Sequence, residues 1–173
     1  MTMLIRVIES SLPALIIGAI VYFVVNAFLN RESKRQQLEI NLNTKKQIIP
    51  VRLQAYERIV LFLERISPEN LILRVSKPGM SAFKLQTELI GTIRLEFEHN
   101  LSQQLYISST GWDLVKTAKE DLIRTINTSA SQLGQDADSA QLTGKIFELT
   151  GNKKNNQINI ALEHLKDEVR KLF

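Results

Sequence analysis

The chain has 173 residues, a net charge of +4 and no cysteine. The missing cysteine excludes disulfides, thiolate catalysis, thiolate-bound metal and acylation on sulfur. Once about 30 residues are set aside for the apolar segment near the start, the length supports one soluble domain of ordinary size.

Met1 to Ser11 is short and mixed, and Pro13 stands early in the apolar run beyond it, where a helix tolerates proline. Leu12 to Leu29 reads LPALIIGAIVYFVVNAFL and carries no charge. As a helix it reaches roughly 27 Å, close to the hydrocarbon thickness of a bilayer, so a transmembrane span is expected. Asn26 is its only strongly polar side chain, and Ala14-xxx-Gly18 has the small-residue spacing of close helix packing. A cleaved signal peptide is the competing reading. Against it, the run exceeds the roughly 7 to 15 residues of a signal core, no small-x-small site comes after it, and the flanking charge is heavier downstream. Asn100-Leu-Ser and Asn127-Thr-Ser would matter as glycosylation acceptors only in a secretory compartment.

Arg6 precedes the span, while Arg31, Lys34, Arg35, Lys45 and Lys46 lie after it. Basic flanks stay on the cytoplasmic side, so the N-terminus is expected outside and the C-terminal domain in the cytoplasm. Residues 31–50 carry five basic and two acidic groups (+3), residues 51–80 five and three (+2), and residues 134–151 one and three (−2). A juxtamembrane basic cluster suits the bilayer's anionic inner leaflet better than nucleic acid.

From Arg31 to Ile49 the pattern is polar, with Leu38, Leu42, Lys45 and Ile49 at heptad-like spacing, barely two heptads of a possible coiled coil. Pro50 is expected to kink or end this stalk helix. Val51 to Ile66 is strongly helical, and its apolar groups fill an arc of roughly 200°, twice an ordinary surface stripe, which marks a central helix. Ser67-Pro68-Glu69 reads as the capped start of a second short helix running through Arg74. Pro78-Gly79 fits the centre of a type II turn. A third helix is expected from Ser81 to Leu105, with Leu85, Leu89, Ile93, Phe97, Leu101 and Leu105 every fourth residue. Thr110-x-x-Asp113 resembles a capping box for a fourth helix with Val115, Ala118, Leu122 and Ile126 on one side. Residues Gly134 to Asp138 form a loop with helix-start chemistry, and Leu142, Ile146 and Leu149 sit on a short helix that stops at Gly151-Asn152. The last helix carries Ile158, Leu162, Leu165, Val169 and Leu172. Period-two alternation is nowhere sustained. The expected fold is all-α: an N-terminal tail and transmembrane anchor over residues 1–30, a kinked juxtamembrane stalk over 31–50, and a cytoplasmic helical bundle over 51–173.

Three stretches, QIIPVRLQAYERIVLFLERISPENLILR (Gln47 to Arg74), LEFEHNLSQQLYIS (Leu95 to Ser108) and WDLVKTAKEDLIRTIN (Trp112 to Asn127), carry a likeness. With the single N-terminal span, they resemble an uncharacterised family of small membrane-anchored proteins of Bacteroidota bacteria. The resemblance implies a bacterial inner-membrane protein. It brings no activity with it, so no catalytic residue is carried over.

Glu96-Phe-Glu-His99 has the spacing of a di-iron half-site, yet such sites need a second Glu-x-x-His and two further glutamates, and His164 has Ala161 three positions before it. Asp136-Ala-Asp138 starts like a calcium loop without the required glycine, and Gly144-Lys145 lacks the rest of a phosphate loop. Arg52, Arg58 and Arg65 with Lys153-Lys154 make no basic stripe for nucleic acid. No nucleophile elbow or dinucleotide fingerprint occurs. The expectation is therefore no catalytic site, no metal and no cofactor. One constellation stands out on the apolar faces: Arg52 falls near the middle of its helix's apolar arc and Glu96 between Leu85 and Leu89. A buried ion pair, Arg52 with Glu96, is expected, unless Arg52 extends its head to water. The chain reads as a membrane-anchored scaffold or accessory subunit for a protein partner or a second copy, the alternative being an enzyme or ligand sensor with a pocket inside the bundle.

Overall fold

The computed structural model describes residues 2–151 and 156–171, with the side chains of residues 2–15, 19 and 40–45 outside that description. Expectations resting on Asn152, Lys153, Lys154 and Leu172, and on the side chains of Arg6, Leu12, Ala14, Leu42 and Lys45, fall outside the described residues. The described residues are helical, with no named strand: α1 (Thr2–Ile66), α2 (Pro68–Val75), α3 (Ala82–Glu98), a 3-10 helix (Leu101–Leu105), α4 (Ser109–Ser131), α5 (Ser139–Thr150) and α6 (Gln157–Arg170). The chain divides into two compact units, Met1–Ile48 and Ile49–Phe173.

In the first unit, Ile16–Glu39 is long and apolar enough to cross a membrane. Its ten large apolar side chains between Ile16 and Leu29 are 49–71% exposed. The polar turns after it are tied within the helix, Arg35 Nε to Glu39 Oε1 at 3.3 Å and Ser33 Oγ donating to the Leu29 carbonyl at 2.9 Å. An ion pair at i,i+4 such as Arg35–Glu39 supports the helix locally.

Pro50 does not end the helix: the backbone remains helical on both sides of it. One donor is lost there, but Pro50 is exposed, so water can serve the carbonyl that its missing N–H leaves free. The boundary between the two units falls two residues before it.

In the second unit α1 turns Ala55, Tyr56, Ile59, Phe62, Leu63 and Ile66 into the core, none more than 2% exposed. Val51, expected on the same arc, is exposed. Leu71 and Ile72 of α2, Leu85, Leu89 and Ile93 of α3, Val115, Leu122 and Ile126 of α4, Leu142 and Ile146 of α5, and Ile158, Leu162 and Leu165 of α6 complete one buried cluster. The recurrence at three and four residues places each set on one helix face.

The connections reflect local chemistry. Ser67 occupies the N-cap position before Pro68, but its hydroxyl turns back to the Glu64 carbonyl at 2.9 Å, which closes α1 instead of opening α2. Lys77 to Met80 forms the type II turn, closed by Met80 N–H on the Lys77 carbonyl at 3.3 Å, with Gly79 at φ 75°. Ser81 caps α3, and Asp138 opens α5 in a reciprocal capping box with Gln141. The two helix starts are stitched together by Ala82 N–H to the Ala137 carbonyl (2.9 Å) and Ser139 N–H to the Met80 carbonyl (3.0 Å).

The third helix is shorter than its stripe. Asn100 Nδ2 donates to the Glu96 carbonyl at 2.8 Å, taking the acceptor that its own backbone N–H would use, and that N–H bonds Phe97 instead. The competition ends α3 at Glu98. Leu101 and Leu105 consequently lie in the 3-10 helix and are exposed. Phe97, the last inward group, stacks on Trp112 with ring centroids 5.5 Å apart.

Leu61 and Leu63 separate burial from composition. Replacing fully buried Leu63 by alanine should cost about 2–5 kcal/mol in urea unfolding of the detergent-solubilised full chain, whereas Leu61→Ala, 60% exposed, should stay within about 0.5 kcal/mol.

Candidate functional site

Two half-buried carboxylates, Glu96 and Glu168, each gather polar contacts from several helices. The first is Glu96, whose Oε1 accepts from Arg65 Nη2 at 2.6 Å and Nε at 3.0 Å and lies 3.4 Å from Arg74 Nη1. This corrects the expected pairing with Arg52, whose Nε donates to the Tyr106 carbonyl at 3.3 Å. The reason is axial position: α3's last turn meets the end of α1 and α2, and Arg52 sits thirteen residues earlier, about 20 Å away along α1. Arg65 comes from the polar side of α1, and its long stem carries the guanidinium to a carboxylate near the rim.

The second gathering was not anticipated. Glu168 on α6 accepts from the Tyr56 hydroxyl of α1 at 2.8 Å, from the Ser108 hydroxyl before α4, and lies 2.9 Å from His164 Nε2 one turn back. Ser108, not Thr110, is the N-cap of α4, taking Gly111 N–H at 2.9 Å. Gly111 is what lets this cap approach α6: a Cβ there would stand 3.1 Å from Ile107 Cγ2 and 3.2 Å from both Leu165 Cδ2 and Ser108 Oγ. The Ser-Ser-Thr-Gly run is therefore a close-contact cap as well as a helix breaker.

Burial pushes the Glu168 carboxyl up, but hydrogen bonds from Ser108, Tyr56 and His164 outweigh it and hold the group below the ordinary carboxylate range. Burial raises the Tyr56 phenol, and the neighbouring Glu168 adds to the rise while Arg52 opposes it. The arrangement clasps α6 to α1 and to the cap of α4. Ser108 and His164 both address Glu168 Oε1, so the carboxylate, not the imidazole, is the serine's hydrogen-bond partner. Beside the clasp, Leu53, Tyr56, Val60, Leu165 and Val169 line an apolar groove of about 310 Å³. Lys166 and Arg170 stand at its edge, paired with Glu163 and Asp167 at 2.9 and 2.8 Å.

The remaining sequence candidates have local roles. Asp138 Oδ1 accepts from Gln141 N–H in its capping box, Lys145 pairs with Glu148 at 2.8 Å, and His99 is exposed at the end of α3. Among the described residues no group of three or more His, Asp or Glu is placed to hold a metal. Of the juxtamembrane cluster, Arg31, Lys34, Arg35 and Lys46 are exposed, with Arg35 bound to Glu39.

The clasp should show in the acid limb of stability. A carboxylate held below its unfolded value contributes stability above the usual range near pH 4 and loses it as pH falls through the lowered value. Tyr56→Phe removes one donor, so unfolding should cost about 1–2 kcal/mol less at pH 7 and the acid loss should be smaller and complete at higher pH, while Glu168→Gln should flatten the acid limb in the same urea series. A double-mutant cycle of Arg65→Met with Glu96→Gln should show coupling, whereas Arg52→Met with Glu96→Gln should be additive within about 0.5 kcal/mol.

No curated protein and no solved structure matches the chain. Residues 2–172 match the family of unknown function DUF7935, nearly the whole length, and the chain belongs to that family.

Proposed function

We propose that the protein is a single-pass anchored scaffold or accessory subunit that holds a protein partner at the cytoplasmic face of a bacterial inner membrane. The observation that carries this reading is the belt from Ile16 to Leu29, apolar on every side of α1 and exposed throughout its described side chains. A helix apolar all round is stable either inside a large core or inside a bilayer, and the belt has no core around it. The exposed charges at Arg31, Lys34, Arg35 and Lys46 support a cytoplasmic location for the residues C-terminal to the belt. The two half-buried carboxylates, Glu96 and Glu168, are engaged in ties between helices, which favours a binding role for the helical unit over chemistry. The inner membrane is the bilayer implied by the resemblance to anchored bacterial proteins. The ligand-sensor alternative draws on the apolar groove between α1 and α6, whose volume is near the lower end of small-molecule sites.

In cells, the full chain should stay in the membrane pellet after alkaline carbonate extraction. A reporter active only outside the inner membrane should be silent when fused at Phe173. Val21→Arg with Val24→Arg, each unfavourable by about 2.5–3.5 kcal/mol at a span's centre, should shift the chain into the soluble fraction. Retention of the double variant in the pellet, or an active reporter, contradicts the reading.

A further inference from the structure

The side of α3 that faces away from its buried residues Leu85, Leu89 and Ile93 carries a row at every fourth position: Phe83, Thr87 and Gly91. Phe83 is 76% exposed. A Cβ at Gly91 would meet nothing within 4 Å, so this glycine weakens the helix without easing any contact within its own chain. Along this face, from Phe83 itself past Gly91 to Arg94, runs an open hollow of about 400 Å³ walled on its other side by Asn127 of α4. Its wall is fixed by Gln86 Nε2 donating to Asn127 Oδ1 at 2.8 Å.

We propose that this face pairs two copies of the chain about a two-fold axis through Thr87, with Phe83 of each copy seated in the hollow over Gly91 of the other. Phe83 and Gly91 lie four residues to either side of Thr87, displaced by about 6 Å along the helix and about 40° around it in opposite senses. A two-fold rotation through Thr87 therefore carries the protruding ring onto the hollow, which is the self-complementarity a symmetric interface needs. The row is of the i, i+4 kind whose ridges interdigitate in the commonest helix crossing, near about 50°. The same rotation sets Lys84 against Ile90, and Glu88 against Gln86, of the second copy, so like charges do not meet. An aromatic side chain buries about 150–250 Å², and two of them with their neighbours fall short of the roughly 1,200 Å² of a stable soluble complex. Confinement of both copies to one membrane supplies the missing association through effective concentration. The inference thus rests on the anchored reading and gives its partner an identity, a second copy.

The absence of native cysteine makes the test direct. The full chain carrying Thr87→Cys is reconstituted in vesicles of phosphatidylethanolamine and phosphatidylglycerol and oxidised, with Lys116→Cys on α4 as control. Thr87→Cys should give a disulfide dimer, because helices crossing at this residue bring the two Cα atoms within bonding range, and Lys116→Cys should not. Adding Gly91→Trp should cut the Thr87→Cys dimer at least tenfold with a thermal midpoint no lower than before, since the hollow has room for the ring and a helical glycine is removed. A chain that floats free of the vesicles defeats the anchored reading and this inference with it. A vesicle-bound chain that gives no Thr87→Cys dimer, or whose dimer survives Gly91→Trp because pairing runs through the span or another face, overturns this inference alone.

Discussion

Tyr56, Ile59, Phe62, Leu63 and Ile66 leave water along one broad side of α1, and a surface of that width needs several neighbours to cover it. The later helices meet that need by presenting narrower stripes: four buried positions on α3, two on α5, four on α6 and a longer series on α4, which lies against α3, α5 and α6. Because α4 touches three helices, its start must be placed well. Gly111 and the Ser108 cap do that where α4 meets α6.

Apolar stripes bring helices together but leave their sliding and rotation loosely set, and the two carboxylates supply what is missing. Glu168 binds α6 to α1 and to the α4 cap through hydroxyls, while Glu96 binds α3 to α1 and α2 through arginines. Both sit partly open at the margin of the core, their side chains 17–18% exposed. That position limits the desolvation cost that a fully buried charge would incur.

Most of the helical order was legible because it is written in neighbouring residues. The type II turn at Pro78-Gly79 and the caps at Ser81 and Asp138 depend on contacts within four residues, and each occurs where its residue types indicate, as does the end of α5 before Gly151. The errors have the same physical origin as one another. Continuing α3 to Leu105 relied on the apolar spacing and missed that Asn100 competes for a backbone acceptor. Expecting Arg52 to meet Glu96 used rotation about the helix and had no measure of where along α1 the third helix would cross. The Glu168 clasp joins residues 112 and 60 positions apart, and no local pattern distinguishes Glu168 from the other charges on α6. Gly111 was the available signal, since a glycine inside a helix's first turn asks what comes close to it.

The apolar belt of α1 stands apart from this economy of contacts. Its large apolar side chains from Ile16 to Leu29 are exposed, and the polar turn after it carries an ion pair within the helix, Arg35 to Glu39. Such a segment exchanges its amides rapidly in water and slowly where water is excluded. Hydrogen–deuterium exchange of the full chain in lipid nanodiscs therefore tests the central claim most directly. Residues 16–29 should be strongly protected and residues 31–39 should exchange quickly. Equal, fast exchange across residues 16–39 would mean that the belt lies outside the bilayer and that the anchored account is wrong.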